Sequence, residues 1–141
     1  MLSDRPARPS EDGYRLDIAL AVAARSTCPR RRYGAVAVAD DETVATGYDG
    51  AARGDVDCFD TGVCHRCGHG HDDGDYGPCP AVHAGMNAMP SASRSEMIGA
   101  TPYLAGVDLE TGERVPAGEA SPCPVCMRVI GNAGVAVVTG A

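Results

Sequence analysis

The sequence predicts an α/β domain, with helices layered against a mixed sheet. Three observations carry that prediction. The chain has 141 residues, the size of one domain around a single core. Segments with apolar residues at helical spacing alternate with short runs rich in Val and Ala. Read along the chain, these give helix, hairpin, helix, strand, helix, strand, and that order builds a layered α/β domain.

Each element has its own signal. Residues 14–25 place Leu16, Ala19, Leu20, Ala23 and Ala24 at helical spacing, with Ser10 or Asp12 ahead as a cap. Residues 1–12 lack periodicity and read as a flexible tail, so the domain is expected over 13–141. Residues 33–39 and 43–48, separated by Asp40-Asp41-Glu42, read as an antiparallel hairpin. From about 49 to 79 the chain turns to Gly, Asp, Cys and His without a period, and a loop that long in a small domain usually has a function. Residues 81–89 look helical up to Pro90. Residues 101–107 suggest a strand, 108–121 an acidic connection, 124–131 a short helix ending at Gly131 or Asn132, and 134–139 a buried strand. No internal repeat is visible.

Composition narrows the function. Apolar residues make up 44% and charged residues 22%, ordinary for a globular protein. Aromatics are 4%, with one Phe and no Trp, so the core must be built from Val, Ala, Leu and Ile. The net charge is −7 and all 12 basic residues are Arg. Such a chain is a poor match for a nucleic-acid polymer. The one basic cluster, Arg30-Arg31-Arg32, fits either a single phosphate or a solvated turn. No apolar stretch approaches the ~20 residues of a membrane span. The N-terminus lacks the apolar segment of a secretory signal, so a cytoplasmic protein is expected. Seven Cys is an odd number, and their clustered spacing favours metal over disulfides in a reducing compartment.

Cys123-Pro124-Val125-Cys126 sets two thiolates at C-x-x-C spacing, and His83 opens an earlier helix. Two helix starts that face each other bring one imidazole and two thiolates to one zinc ion. Three protein ligands leave a fourth position for water, the catalytic arrangement, and zinc brings the pKa of such a water to about 7. The tetrapeptide alone equally fits a closed structural zinc site or a redox pair.

Five segments in order give this chain a family resemblance. They are 26–36 (STCPRRRYGAV), Gly47-Tyr48-Asp49-Gly50, 83–88 (HAGMNA), Pro122-Cys123-Pro124-Val125-Cys126 and Asn132-Ala133-Gly134-Val135. Together they resemble the zinc-dependent cytidine/deoxycytidylate (dCMP) deaminase family, whose signature is H-x-E followed by P-C-x-x-C. The resemblance covers 14–139 and implies a three-layer α/β/α fold, His83, Cys123 and Cys126 as zinc ligands, and a pyrimidine nucleotide or nucleoside as partner. It also implies a homo-oligomer, since relatives commonly assemble with sites near subunit contacts.

Two positions depart from the family pattern. The Glu that shuttles protons in these enzymes falls at Gly85, and glycine transfers none; such acid–base catalysis is typically worth ~10²–10⁴-fold. Three readings fit: a disabled deaminase, an enzyme that recruits another acid such as Glu119 or Asp49, and a binding or scaffold module. Asp49 stands where the family turn has a sugar-contacting Asn. It fits a sugar hydroxyl acceptor or a plain turn former. Asn87 matches a family Asn and fits either sugar or phosphate binding or a role in the helix. Arg30 is a candidate phosphate contact.

Some dCMP deaminases carry a second, structural zinc near the same loop. The resemblance implies Cys28 and Cys58 as ligands here, with two more from Cys64, Cys67, His69 or His71. A closed site would contribute folding free energy to a loop with few apolar residues. Reduced thiols in a mobile loop are the alternative. The leading expectation is a zinc-dependent hydrolytic deaminase of a cytosine nucleotide or nucleoside, or a related aminopyrimidine, with an atypical proton shuttle. The alternatives are a silent pyrimidine-nucleotide-binding member of the fold and a redox or metal-handling protein.

Overall fold

The computed structural model describes residues 2–66, 76–116 and 118–135. After a single 3-10 turn at Leu2–Asp4, the first helix, α1, spans Glu11–Ala23. It starts two residues before the expected domain boundary. Ser10 is the cap, its Oγ accepting the Gly13 N–H at 3.0 Å, and Glu11 and Asp12 favour the positive end of the helix. No apolar residue marks that first turn, so periodicity begins later than the helix does.

β1 (Arg31–Ala39) and β2 (Glu42–Tyr48) form the expected antiparallel hairpin, in a register that pairs Gly34 with Tyr48 and Ala39 with Glu42. Asp40 and Asp41 take φ of 50° and 64°. That is the two-residue turn with both centres left-handed whose twist suits a hairpin. Arg15 of α1, 5% exposed, holds the turn: its Nη2 donates to the Asp41 carbonyl at 2.7 Å and its Nε to Glu11 at 2.8 Å.

The stretch over 49–79 is not featureless. It contains β3 (Gly50–Ala51) and one turn of helix, α2 (Cys58–Thr61), closed by a capping box between Asp57 and Asp60. β4 (Ala81–Val82) pairs with β3 and delivers the chain to α3 (Ala84–Ala88). The helix expected from residue 81 therefore begins at 84. α4 (Arg94–Met97) and β5 (Thr101–Asp108) follow, then α5 (Pro124–Asn132).

β5 lies antiparallel to β1, giving the order β2-β1-β5. The described strands of this sheet are thus all antiparallel, and no parallel member of the expected mixed sheet is among them. Of the strand expected over 134–139, Gly134 sits in a turn with φ of 85° and Val135 has no regular structure. The remainder lies outside the described residues.

Alternation along β1 sorts the core into two layers. Val36, with Ala105 of β5, meets Ala19, Leu16 and Leu20 of α1 on one face. Ala35 and Ala37 face the other way, onto Ala84, Ala88, Met97, Cys126 and Ile130 from α3, α4 and α5. This is the α/β/α arrangement. Small residues permit it: a Cβ at Gly34 would run into the backbone of Ala19 and Ala23, and one at Gly47 into the backbone of Ala84, Asn87 and Ala88. Gly47 therefore lets α3 lie directly on β2, which fixes where His83 stands. Among the described residues no helix is long and apolar enough to cross a membrane.

Candidate metal centre

Two helix starts meet at one point. His83 is the N-cap of α3, in extended backbone and with no side-chain capping bond, so its imidazole is free to turn outward from the helix. Cys123 is the N-cap of α5, where Pro124 fits the first helical turn. The Cys126 N–H donates to Cys123 Sγ at 3.4 Å. Cys126, one turn on, is 3% exposed and belongs to the core beneath α3.

The result is a triangle. His83 Nδ1 lies 3.1 Å from Cys126 Sγ and 3.5 Å from Cys123 Sγ, and the two sulfurs are 3.3 Å apart. Zinc bonds of ~2.3 Å to sulfur and ~2.0–2.1 Å to nitrogen place tetrahedral ligands roughly 3.5–3.8 Å from one another. The triangle is one face of such a tetrahedron, slightly contracted, with a soft donor set suited to zinc. Among the described residues it is the only group of three such donors within 4.8 Å of one another.

Protonation fits the same use. Burial, and then the positive charge of Arg66, pull the His83 pKa down, favouring the neutral imidazole that ligates. Burial, and then the Cys123 thiol beside it, push the Cys126 thiol up to about 12. A divalent cation reverses that preference by favouring thiolate.

Gly85, second residue of α3, is buried, and an added Cβ would meet Ile130 Cδ1 of α5 at 3.0 Å. The glycine thus has a packing partner that the sequence does not reveal. Asn87 donates from Nδ2 to the Tyr48 carbonyl at 2.8 Å, tying α3 to the end of β2. Asp49, 8% exposed, turns its carboxyl inward, where Oδ1 accepts the Tyr33 N–H at 2.8 Å. Burial raises its pKa to about 6, against the lowering effect of a hydrogen bond from Ser26. Glu119 pairs with Arg31 at 3.1 Å, and no carboxylate joins the His83 donor group among the described residues.

The three consecutive arginines separate. Arg30 Nη1 donates to the Arg66 carbonyl at 3.3 Å, and Arg31 also pairs with Asp108 at 3.0 Å. Arg32 Nε is buried with no hydrogen-bond partner among the described residues. Cys28, Cys58 and Cys64 line one small cavity with Cys79 and His65, but their sulfurs form no donor group as tight as the first. Burial raises the Cys28 thiol. Cys67, His69 and His71 lie outside the described residues. Sequence reasoning missed two neighbours of the metal centre. The Tyr76 ring meets His83 at 4.8 Å between centroids, and the Arg66 guanidinium lies over Tyr76 at 4.3 Å. Both come from the segment without a period, where no spacing signal could mark them.

Comparison with known proteins gives a consistent picture. Residues 9–141 match the family model described as the cytidine and deoxycytidylate deaminase zinc-binding region. The chain is 38% identical over 135 residues to a deoxycytidylate deaminase of Mycobacterium phage D29, covering 92% of each. It is 40% identical over 90 residues to a deoxycytidylate deaminase of Saccharomyces cerevisiae, spanning 64% of this chain but 28% of that protein. Among solved structures, the dCMP deaminase of cyanophage S-TIM5 in complex with dCMP and dUMP superposes with a TM-score of 0.59 at 22% identity. The match covers 92% of this chain and 79% of that one.

Proposed function

This chain belongs to the cytidine and deoxycytidylate deaminase family, and from that premise we propose that it is a zinc-dependent hydrolytic deaminase of a cytosine nucleotide, dCMP above all. Water replaces the amino group at ring C4, giving the corresponding uracil nucleotide and ammonia. The observation that carries this reading is the meeting of His83, Cys123 and Cys126 at the starts of α3 and α5. A zinc ion held by these three residues supplies Lewis acidity and lowers the pKa of bound water.

The chain's own residues do the rest. α3 is held on β2 by the close approach at Gly47 and by the Asn87 bond to Tyr48, so the imidazole has a fixed origin. The Cys123 cap and the buried Cys126 fix both sulfurs relative to α5. Gly85 contributes no proton carrier, and turnover is correspondingly slow. The cavity that Cys28, Cys58 and Cys64 help to line is the proposed place for a second, structural zinc. Cys28 and Cys58 would hold it together with two of Cys64, Cys67, His69 and His71. The same reading makes the protein a cytoplasmic homo-oligomer that binds small nucleotides rather than polymers, in keeping with its net charge of −7.

A second reading has a specific observation behind it. Both alternative acids are otherwise engaged, Glu119 with Arg31 and Asp49 with the Tyr33 amide. A chain with no proton carrier at the centre would bind the nucleotide without converting it. Metal analysis of the purified protein, together with dCMP binding and ammonia release measured on the same sample, tests both. Zinc, binding and slow ammonia release support the deaminase. Zinc and binding with no release support the silent binder. Absence of zinc refutes both.

A further inference from the structure

We propose that Tyr76 and Arg66 are positioning residues for His83: a stacked clamp that holds the imidazole with Nδ1 toward the two sulfurs. The inference rests on the reading of His83, Cys123 and Cys126 as a zinc site and adds what orients one of its ligands.

A ligating histidine usually has its ring fixed by a hydrogen bond from the other nitrogen to a carboxylate or carbonyl. Here Nδ1 faces Cys123 and Cys126, and among the described residues the other nitrogen has no hydrogen-bond partner. A further contact on the imidazole is aromatic. Tyr76 meets it in a T-shaped arrangement, 4.8 Å between centroids and 73° between planes. That geometry is the favoured one for two rings, and it restricts rotation of both.

Tyr76 is held in turn. The Arg66 guanidinium lies 4.3 Å from its ring centroid, inside the range of a cation–π contact, which strengthens when the pair is desolvated. Arg66 is 7% exposed and Tyr76 half-buried, so the cation is largely removed from water. Its carbonyl accepts from Arg30 Nη1 at 3.3 Å, which anchors the backbone beneath the clamp to the start of β1. Three groups therefore stack from a fixed strand end to the metal ligand: Arg66, Tyr76, His83. Arg66 also lines the cysteine cavity, so the stack runs from that cavity to the metal centre.

Zinc affinity by chelator competition and the absorption bands of the cobalt(II) form test the clamp on the full chain. The Cys123→Ser, Cys126→Ser double variant is subtracted, so that only this site is read. Tyr76→Leu is expected to weaken metal binding at the site about two- to tenfold and to shift the cobalt bands. Tyr76→Phe, which keeps the ring, is expected to leave both at the parent values. Arg66→Gln keeps most of the stem, removes the cation, and is expected to shift the bands in the same direction as Tyr76→Leu. It decides the matter should Tyr76→Leu fail to fold by circular dichroism. Parent-like affinity and bands in both Tyr76→Leu and Arg66→Gln overturn the clamp, as does a Tyr76→Phe variant as impaired as Tyr76→Leu. A parent chain whose metal signal equals that of the double cysteine variant refutes the metal reading itself, and the clamp with it. The two failures are thus distinguishable.

Discussion

Placing a carboxylate at position 85 should accelerate the enzyme, and the structure sets the scale. Gly85 lies in α3 two residues after His83. Helical Cα–Cβ bonds tilt toward the N-terminus, so a side chain at 85 leans toward the end of α3 that carries His83. Space is tight but adjustable. The new Cβ would sit 3.0 Å from Ile130 Cδ1, the free end of a side chain, against the ordinary ~3.5–4.0 Å between carbons. Relieving that contact costs about 1 kcal/mol. Replacing glycine inside a helix returns roughly 0.5–1 kcal/mol. Gly85→Ala should therefore be close to neutral, which makes it the control for crowding. Gly85→Glu adds a buried carboxylate, costing about 1–3 kcal/mol where it finds no partner, so the variant should be less stable without zinc than with it. General acid–base catalysis is worth ~10²–10⁴-fold, equivalent to about 3–5 kcal/mol of barrier. Ammonia release from dCMP, measured on zinc-loaded parent, Gly85→Ala and Gly85→Glu proteins, should rise by that factor in the last alone. A folded, zinc-loaded Gly85→Glu protein that turns over no faster than Gly85→Ala would refute the reasoning.

Glu119→Gln should leave ammonia release unchanged, because Glu119 is paired with Arg31. With Glu119 56% exposed, losing that pair should cost at most about 1 kcal/mol in a denaturant titration; a tenfold fall in rate would reinstate it as the proton carrier. Asp49→Asn should stabilise the fold at neutral pH. Burial holds the Asp49 pKa at about 6 against 3.8 unfolded, so the folded state binds more protons between those values. Stability is then fully present below pH ~4, falls as pH rises through 6, and levels off with a penalty of up to about 3 kcal/mol. Denaturation midpoints of the two proteins should converge at pH 4 and separate at pH 7, and a difference that ignores pH contradicts this account. Zinc affinity at the His83 site should fall at least about tenfold per pH unit between pH 8 and 6, since metal must displace the Cys126 proton. Competition with a chelating dye across that range measures it, and a flat profile would show that the thiolate is already formed without metal.

What the sequence made legible was whatever depends on near neighbours. The spacing of Leu16, Ala19, Leu20 and Ala23 marks the buried face of α1, and the short apolar run of 33–39, ended by Asp40-Asp41-Glu42, marks β1. Cys123-Pro124 before an apolar segment marks a helix start, because proline and a capping group belong there. Partners far along the chain were legible only where the family resemblance supplied them, as for His83 with Cys123 and Cys126. Arg31 reaches Asp108 and Glu119, and Asp49 accepts from Tyr33, contacts that no local pattern encodes. The pairing of β3 with β4 spans two residues on each side, too few to leave a period. Tyr76 and Arg66 are ordinary residues in an aperiodic stretch until folding sets the Tyr76 ring against His83 and Arg66 over Tyr76.

The metal triangle and the proton carrier are separable in this fold. His83 is placed by the backbone approach of α3 to Gly47 and by the Asn87 bond to Tyr48, and the sulfurs by the cap and the buried face of α5. None of these contacts passes through the side chain at position 85. Glycine at 85 leaves these contacts untouched, and Ile130 Cδ1 lies 3.0 Å from where a Cβ would stand. On the proposed reading, a chain built this way would keep its zinc while its chemistry slowed. Metal content and turnover would then report on different residues, to be lost or restored independently.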